Sequence, residues 1–241
     1  MANRSTFNSS KNSSNSIESA LYIVPTPIGN LLDITFRSVK VLSSVDIIAC
    51  EDTRVCGMLL RSLDIDFRGC LCSYHNFNEG VRSGYLVEQI RGGKSVALVS
   101  DSGMPCISDP GYKLVREVIG AGLKIIPLPG PTAFVSALVA SGFSVHNFVF
   151  LGFPPQKKGR LSFIRDALSL PFTVILYESS HRIIKLIEEI SGLDSCRDIF
   201  IGREITKIFE EHIRFNTSEF LSGSVDIVPK GEFVVVIRAK S

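Results

Sequence analysis

The stretch SVALVSDSGMPCISDPGYKLV (residues 95–115) decides the fold. Its first six residues, Ser95–Ser100, form an apolar run of strand length. A loop rich in proline, glycine, serine and aspartate follows, and a helical pattern begins near Asp109. Strand, tight turn and helix in that order make one βα unit. The run is continuous rather than alternating, which suits a strand buried on both faces of a parallel sheet. The same grammar recurs in LYIV (21–24), VDIIAC (45–50), CLCSY (70–74) and KIIPL (124–128). Helical candidates begin near Asp33, Asp52, Asn78 and Pro131, each opened by a cap-type residue or by proline in the first turn. Residues 21–145 therefore read as a doubly wound α/β domain.

Working outward, SVHNFVFLGFPPQKKGR follows Gly142, and its FVFLGF run gives way to a Pro, Gly and Lys-rich loop. A second α/β domain is expected over 146–241, with strands near 172–177, 198–202 and 232–238 and a helix from His181 to Ile190. The mixture of patterns there predicts a mixed sheet. In the other direction, residues 1–20 hold seven Ser and four Asn with almost nothing apolar, the composition of a disordered tail. Asn3, Asn8 and Asn12 each open a glycosylation sequon, but no apolar signal region accompanies them, so they read as chance matches.

Composition narrows the function. The chain of 241 residues is 45% apolar and 21% charged, enough for a substantial core. Its 26 basic and 24 acidic side chains leave a net charge of +2, too little for a global field that attracts nucleic acid or membrane. The most apolar stretch, Ile125–Phe143, is interrupted by Pro127, Pro129 and Pro131, which excludes a spanning helix there. Six scattered cysteines read as reduced, cytosolic thiols. Cys70, Cys72 and His75 lack the second half of a zinc pattern, so no metal is expected.

In an open α/β sheet, ligands sit beyond the carboxyl ends of the strands. Three turns stand there: Pro25–Asn30, Ser100–Gly111 and Leu128–Ala133. The first has one glycine where a dinucleotide fingerprint needs three, and no phosphate-loop lysine element occurs anywhere. Backbone groups and shaped apolar turns without a lysine suit a neutral or cationic adenosine compound, and S-adenosylmethionine fits that description.

TPIGNLLDITFR (26–37), CEDTRVCGMLL (50–60), SDSGMPCISDPGYKLV (100–115), PLPGPTAFVSALVASGF (127–143), FLGFPPQKKGR (150–160), YESSHRI (177–183), REITKIFEEH (203–212) and KGEFVVVI (230–237) resemble, in order, the small-subunit ribosomal RNA methyltransferases of the tetrapyrrole methylase superfamily. The resemblance spans Leu21–Arg238. It implies two α/β/α domains with an S-adenosylmethionine cleft between them, a cytoplasmic homodimer, and 2′-O-methylation of a cytidine in the decoding region of 16S rRNA. Cofactor contacts carry over onto Pro27, Ser102, Gly103, Met104, Ile107, Thr132, Ala133 and Glu178, with Gly29 and Asp101 beside them in the same loops. The chain departs from the family at Pro25, Ser180 and Phe215–Thr217.

Methyl transfer to a hydroxyl requires that its proton leave, and a carboxylate or neutral lysine can accept it. Glu51, Asp52, Arg54, Asp101, Lys207, Glu210 and Glu211 are the candidates. Asp52 and Arg54 read equally as a helix cap with an ion pair, and Lys207, Glu210 and Glu211 have the spacing of a solvated helix turn. Tyr177 and Glu178, followed by His181 and Arg182, are candidates for positioning substrate or cofactor. Lys157, Lys158, Arg160 and Arg165 form a basic segment without an acid, a candidate RNA contact on the small ribosomal subunit. Two readings compete: a methyltransferase for another acceptor, and a non-catalytic RNA-binding assembly protein, which need not bind S-adenosylmethionine.

Overall fold

The structure, a computed structural model, describes residues 17–240. Most of the expected tail, with its three sequons, lies outside the described residues. Its last residues do not behave as a tail: Ala20 is fully buried, Ser19 Oγ donates to the Ile90 carbonyl at 2.8 Å, and Lys124 Nζ reaches Glu18 at 2.6 Å. Ile17 and Ala20 supply the apolar contact that the Ser/Asn count obscured.

The chain first forms β1 (Leu21–Ile23), α1 (Phe36–Leu42), β2 (Ile47–Cys50), α2 (Thr53–Ser62), β3 (Leu71–Ser73), α3 (Glu79–Arg91), β4 (Val96–Val99), α4 (Tyr112–Gly120), β5 (Ile125–Pro127) and α5 (Ala133–Ser141). The five strands make one sheet in the order β3-β2-β4-β1-β5, and every pair is parallel. Central β2 and β4 are buried along their whole length, as continuous apolar runs require. Helices begin where short polar side chains satisfy the first amides. Thr35 caps α1 through the Ser38 amide, and Asp52 caps α2 through the Arg54 amide. Three starts differ from expectation: α1 opens after Thr35 rather than near Asp33. Helix α4 opens after Gly111 rather than at Asp109, and α5 opens after Thr132, leaving Pro131 outside the first turn.

The second half comprises β6 (Phe148–Gly152), α6 (Arg160–Ser169), β7 (Thr173–Ser179), α7 (Ile183–Leu193), β8 (Asp198–Arg203), β9 (Glu211–Asn216), α8 (Thr217–Leu221) and β10 (Glu232–Ile237). Its sheet runs β6-β7-β10-β8-β9, parallel only between β6 and β7. The molecule is thus an α/β protein with one parallel and one mixed sheet. Strand β9 falls on the segment read as a helix turn: Glu211 pairs with Arg203 across the β8–β9 hairpin, and Lys207 and Glu210 lie in its turn.

Helix α5 precedes the second sheet in the chain yet packs on it. Ala137 and Leu138 join Ile28, Ile175, Phe200, Val234 and Val236 in one buried cluster. That cluster fastens the two halves together and sets the walls of the cleft between them.

Candidate active site

Strands β4, β1 and β5 are neighbours and parallel, so the loops that follow them emerge side by side. Backbone bonds lock the first two: the Thr26 amide donates to the Gly103 carbonyl at 2.9 Å, and the Gly103 amide returns to Thr26 at 3.1 Å. Gly103 adopts φ +82°, and a Cβ there would lie 3.2 Å from Ile28 Cγ2. Glycine serves both the turn and the close approach.

Between these loops and the second sheet lies a cavity of about 510 Å³, within the size range of small-molecule sites. Ile28, Asp101–Met104, Ile107–Asp109, Thr132 and Ala133 line it from the first half; Phe153, Tyr177–Ser180, Gly202, Ile205 and Gly231–Val234 line it from the second. Helix α5 points its N-terminus here without a side-chain cap from Thr132. Its Phe134 amide donates to the Tyr177 hydroxyl at 3.3 Å.

The second wall rests on a buried ion-pair network. The Glu178 carboxylate accepts from Arg160 at 2.9 Å, from Arg182 Nε at 2.8 Å and from the Ser179 amide at 2.8 Å. Arg160 also donates to Glu189 at 2.6 Å and to the Pro155 carbonyl at 3.2 Å. Both partners in the Arg160–Glu178 pair are sequestered, their side chains 4% and 0% exposed. Buried charges persist only when matched in this way.

Asp101, Asp109, Glu178 and Glu232 supply charge to the lining, and no Lys or Arg side chain does. Burial pushes the Asp109 carboxyl up to about 6; Glu51 and Asp101 reinforce the rise, while a Ser100 hydrogen bond opposes it. Burial likewise raises Asp101 and Glu51, and it pushes the Tyr177 hydroxyl up to about 12. A carboxylate-bearing, lysine-free cavity favours a cationic ligand over a polyphosphate.

Several sequence candidates converge on this cavity and others do not. Asp101, Ser102, Gly103, Met104, Ile107, Thr132, Ala133 and Glu178 line it. Pro27 and Gly29 do not. Gly29 instead faces a second groove with Thr206 and Lys207, and Ile28 takes the cavity position between them. Glu178 has its carboxylate saturated by arginines, so its place in the wall is architectural.

Asp52 and Arg54 fulfil the cap-and-pair reading. Arg54 chelates Asp52 at 3.1 and 2.7 Å, which holds the Asp52 carboxyl far below its usual range. Arg54 does not pair with Glu51. Lys207 bonds Glu204 at 2.9 Å and Glu232 at 3.0 Å, and these partners raise its pKa despite burial, the opposite of a neutral-lysine base. Glu210 accepts the Thr206 amide at 2.6 Å within the hairpin turn. Arg160 requires correction as an RNA contact: it begins α6, is buried, and is spent on Glu178 and Glu189. Lys157, Lys158 and Arg165 are exposed, and His181 is exposed beside half-buried Arg182.

Ser108, Asp109, Phe153, Ile205 and Glu232 escaped the sequence reading as site residues, whereas Tyr177 was among its positioning candidates. Asp109 carried a signal, its place in a proline- and glycine-rich loop after β4. The others depend on strand pairing that no local pattern announces.

A parallel sheet joined to a mixed one, with three strand-end loops on the first and a closing wall on the second, defines an α/β protein with one small-molecule cleft between its halves. A model described as Tetrapyrrole (Corrin/Porphyrin) Methylases matches residues 20–221. The chain belongs to that family. It is 44% identical over 225 residues to a Mesorhizobium japonicum protein named Ribosomal RNA small subunit methyltransferase I, covering 92% of this chain and 76% of the relative. An Escherichia coli O157:H7 protein of the same name is 44% identical over 230 residues, covering 94% and 80%. Among solved structures, uroporphyrin-III C-methyl transferase from Thermus thermophilus, complexed with S-adenyl homocysteine, superposes with a TM-score of 0.61 at 17% identity, covering 90% and 96%.

Proposed function

We propose that this chain is an S-adenosylmethionine-dependent methyltransferase that modifies a ribose 2′-oxygen of small-subunit ribosomal RNA. The observation that carries the reading is the carboxylate-lined, lysine-free cavity at three adjacent strand ends, in a chain 44% identical to relatives named for that activity. The donor's own chemistry is a sulfonium that releases a methyl group to a nucleophile. The uncapped start of α5, with Thr132 and Ala133, suits acceptor atoms of the adenosine portion. Apolar Ile28, Ile107 and Val234 exclude water, while Asp101 suits the cationic end. Exposed Lys157 and Lys158 follow Phe153 out of the cavity wall, where they can meet RNA phosphates.

In this reading the acceptor is a cytidine in the decoding region of 16S rRNA, Gly29 and Pro27 shape the donor loop from behind, and the enzyme works as a cytoplasmic homodimer. Among the described residues, no helix is long and apolar enough to cross a membrane. The test is transfer of a labelled methyl group to small subunits lacking the modification, followed by nuclease digestion and mass analysis. Recovery of 2′-O-methylcytidine is expected. No transfer to subunits or naked rRNA, with donor binding intact, would assign another acceptor; no donor binding would favour an assembly factor.

A further inference from the structure

The loop between β4 and α4 is held in a conformation that ordinary residues avoid. Cys106 has φ +71° and Ser108 φ +66°, and Gly111 follows at φ +137°. Left-handed backbone at non-glycine residues is costly and persists where packing over-determines it. Here the packing is tight: a Cβ on Gly111 would sit 2.6 Å from Cys106 Sγ and 2.7 Å from Leu98 Cδ2. The consequence is that Asp109, between two of these residues, lines the cavity instead of joining α4 as a cap.

The other acidic and phenolic groups of the lining are engaged. Glu178 is saturated by two arginines, and Glu232 bonds Lys207 at 3.0 Å. Asp101 accepts the Asp52 amide at 3.1 Å, and the Tyr177 hydroxyl accepts the Phe134 amide. Asp109 is hydrogen-bonded to the Ser100 hydroxyl but has carboxylates, not cations, for charged neighbours. Glu51 and Asp101 lie on the first sheet's edge, Cys106 lies in its own loop, and Tyr177 faces it from β7.

We propose that Asp109 is the catalytic residue that accepts the 2′-hydroxyl proton. This rests on the methyltransferase reading above. In the step, the 2′-oxygen forms its bond to the methyl carbon as the carbon–sulfur bond of the sulfonium donor breaks. The bonding pair stays on sulfur, and the hydroxyl proton passes to the Asp109 carboxylate and then to solvent. Burial with two carboxylates nearby keeps that group basic enough for the task at neutral pH, which a solvated aspartate is not.

The test compares the full chain with Asp109→Asn on small subunits lacking the modification. A fall in kcat of about 10²- to 10⁴-fold is expected, with calorimetric affinity for S-adenosylmethionine held within about threefold. Wild-type kcat/KM should rise with pH through an inflection at about 6, which the variant lacks. In the donor-free protein, carbon-13 spectra of labelled aspartate should show one carboxyl titrating at about 6, absent from Asp109→Asn. If Asp109→Asn does not fold, Asp109→Glu keeps the carboxyl on a longer arm, and partial kcat at full donor affinity is its expected result. A kcat unchanged in the substituted chain, donor affinity lost in parallel with rate, or a carboxyl titrating in the ordinary aspartate range would each overturn the role. Failure of the wild-type chain to methylate rRNA overturns the acceptor assignment and this role with it, and that failure appears without any variant.

Discussion

The two walls of the cleft are built on different principles. The first wall consists of turns, each within a few residues of the strand that positions it, and its geometry resides in the backbone: the Thr26–Gly103 pairing and the left-handed residues before α4. The second wall consists of strand ends whose side chains are fixed by distant partners, Glu178 by Arg160 and Glu232 by Lys207. One wall fails when a dihedral is forbidden. The other fails when a charge loses its mate.

Substitutions that strike one principle at a time sharpen this contrast. Arg160→Ala takes one of two arginines from buried Glu178 and the close partner from Glu189, and should cost about 3 kcal/mol, read as a lower urea midpoint. Arg54→Ala, removing an 87% exposed side chain from a surface pair, should leave that midpoint unchanged. Equal effects would break the distinction between the walls. Gly111→Ala forces a Cβ against Leu98 and Cys106 at φ +137° and should cost about 1–3 kcal/mol. It should also weaken donor binding by calorimetry, because the loop it distorts carries Met104 and Ile107.

A smaller effect runs the other way. Asp109 titrates at about 6 when folded and at about 3.9 when unfolded, so the folded state holds its proton to higher pH. Stability contributed by that proton is present below about pH 4 and is lost as pH rises through the folded value. Asp109→Asn should therefore be more stable than wild type at pH 7.5 and equal to it at pH 3.5, measured by denaturant unfolding. The smallest expected change belongs to the basic segment. Replacing Lys157 and Lys158 together by alanine should reduce the salt slope of RNA binding by about 0.7 per contact, with donor affinity unchanged.

The same difference explains what was legible beforehand. Strands of the parallel sheet announce themselves as continuous apolar runs, and the turns after them are contiguous in sequence, so the loops that carry Asp101–Met104, Ile107, Thr132 and Ala133 could be found by position, while the family resemblance singled out the residues within them. Pro27 and Gly29 were displaced by one residue because a turn's facing is set by φ and ψ, not by its composition. Lys207, Glu210 and Glu211 suggested a helix because i, i+3 and i+4 spacing is also compatible with a hairpin turn entering β9. Arg160 resembled a surface cation because its neighbours Lys157 and Lys158 are surface cations. Its partners Glu178 and Glu189 lie 18 and 29 residues away, beyond any local pattern.

The position of α5 governs how this molecule comes apart. Its Ala137 and Leu138, with Ile28 from the loop after β1, complete the hydrophobic layer over Ile175, Phe200, Val234 and Val236. One face of the second sheet consequently stays open until a segment that precedes it in the chain has docked, while its other face packs on α6 and α7 within the second half. A single transition, rather than one for each sheet, is the expected outcome of thermal unfolding followed by calorimetry. A polypeptide beginning at β6 would leave that apolar face uncovered, whereas one beginning before Thr132 would carry its own cover and lack only Ile28.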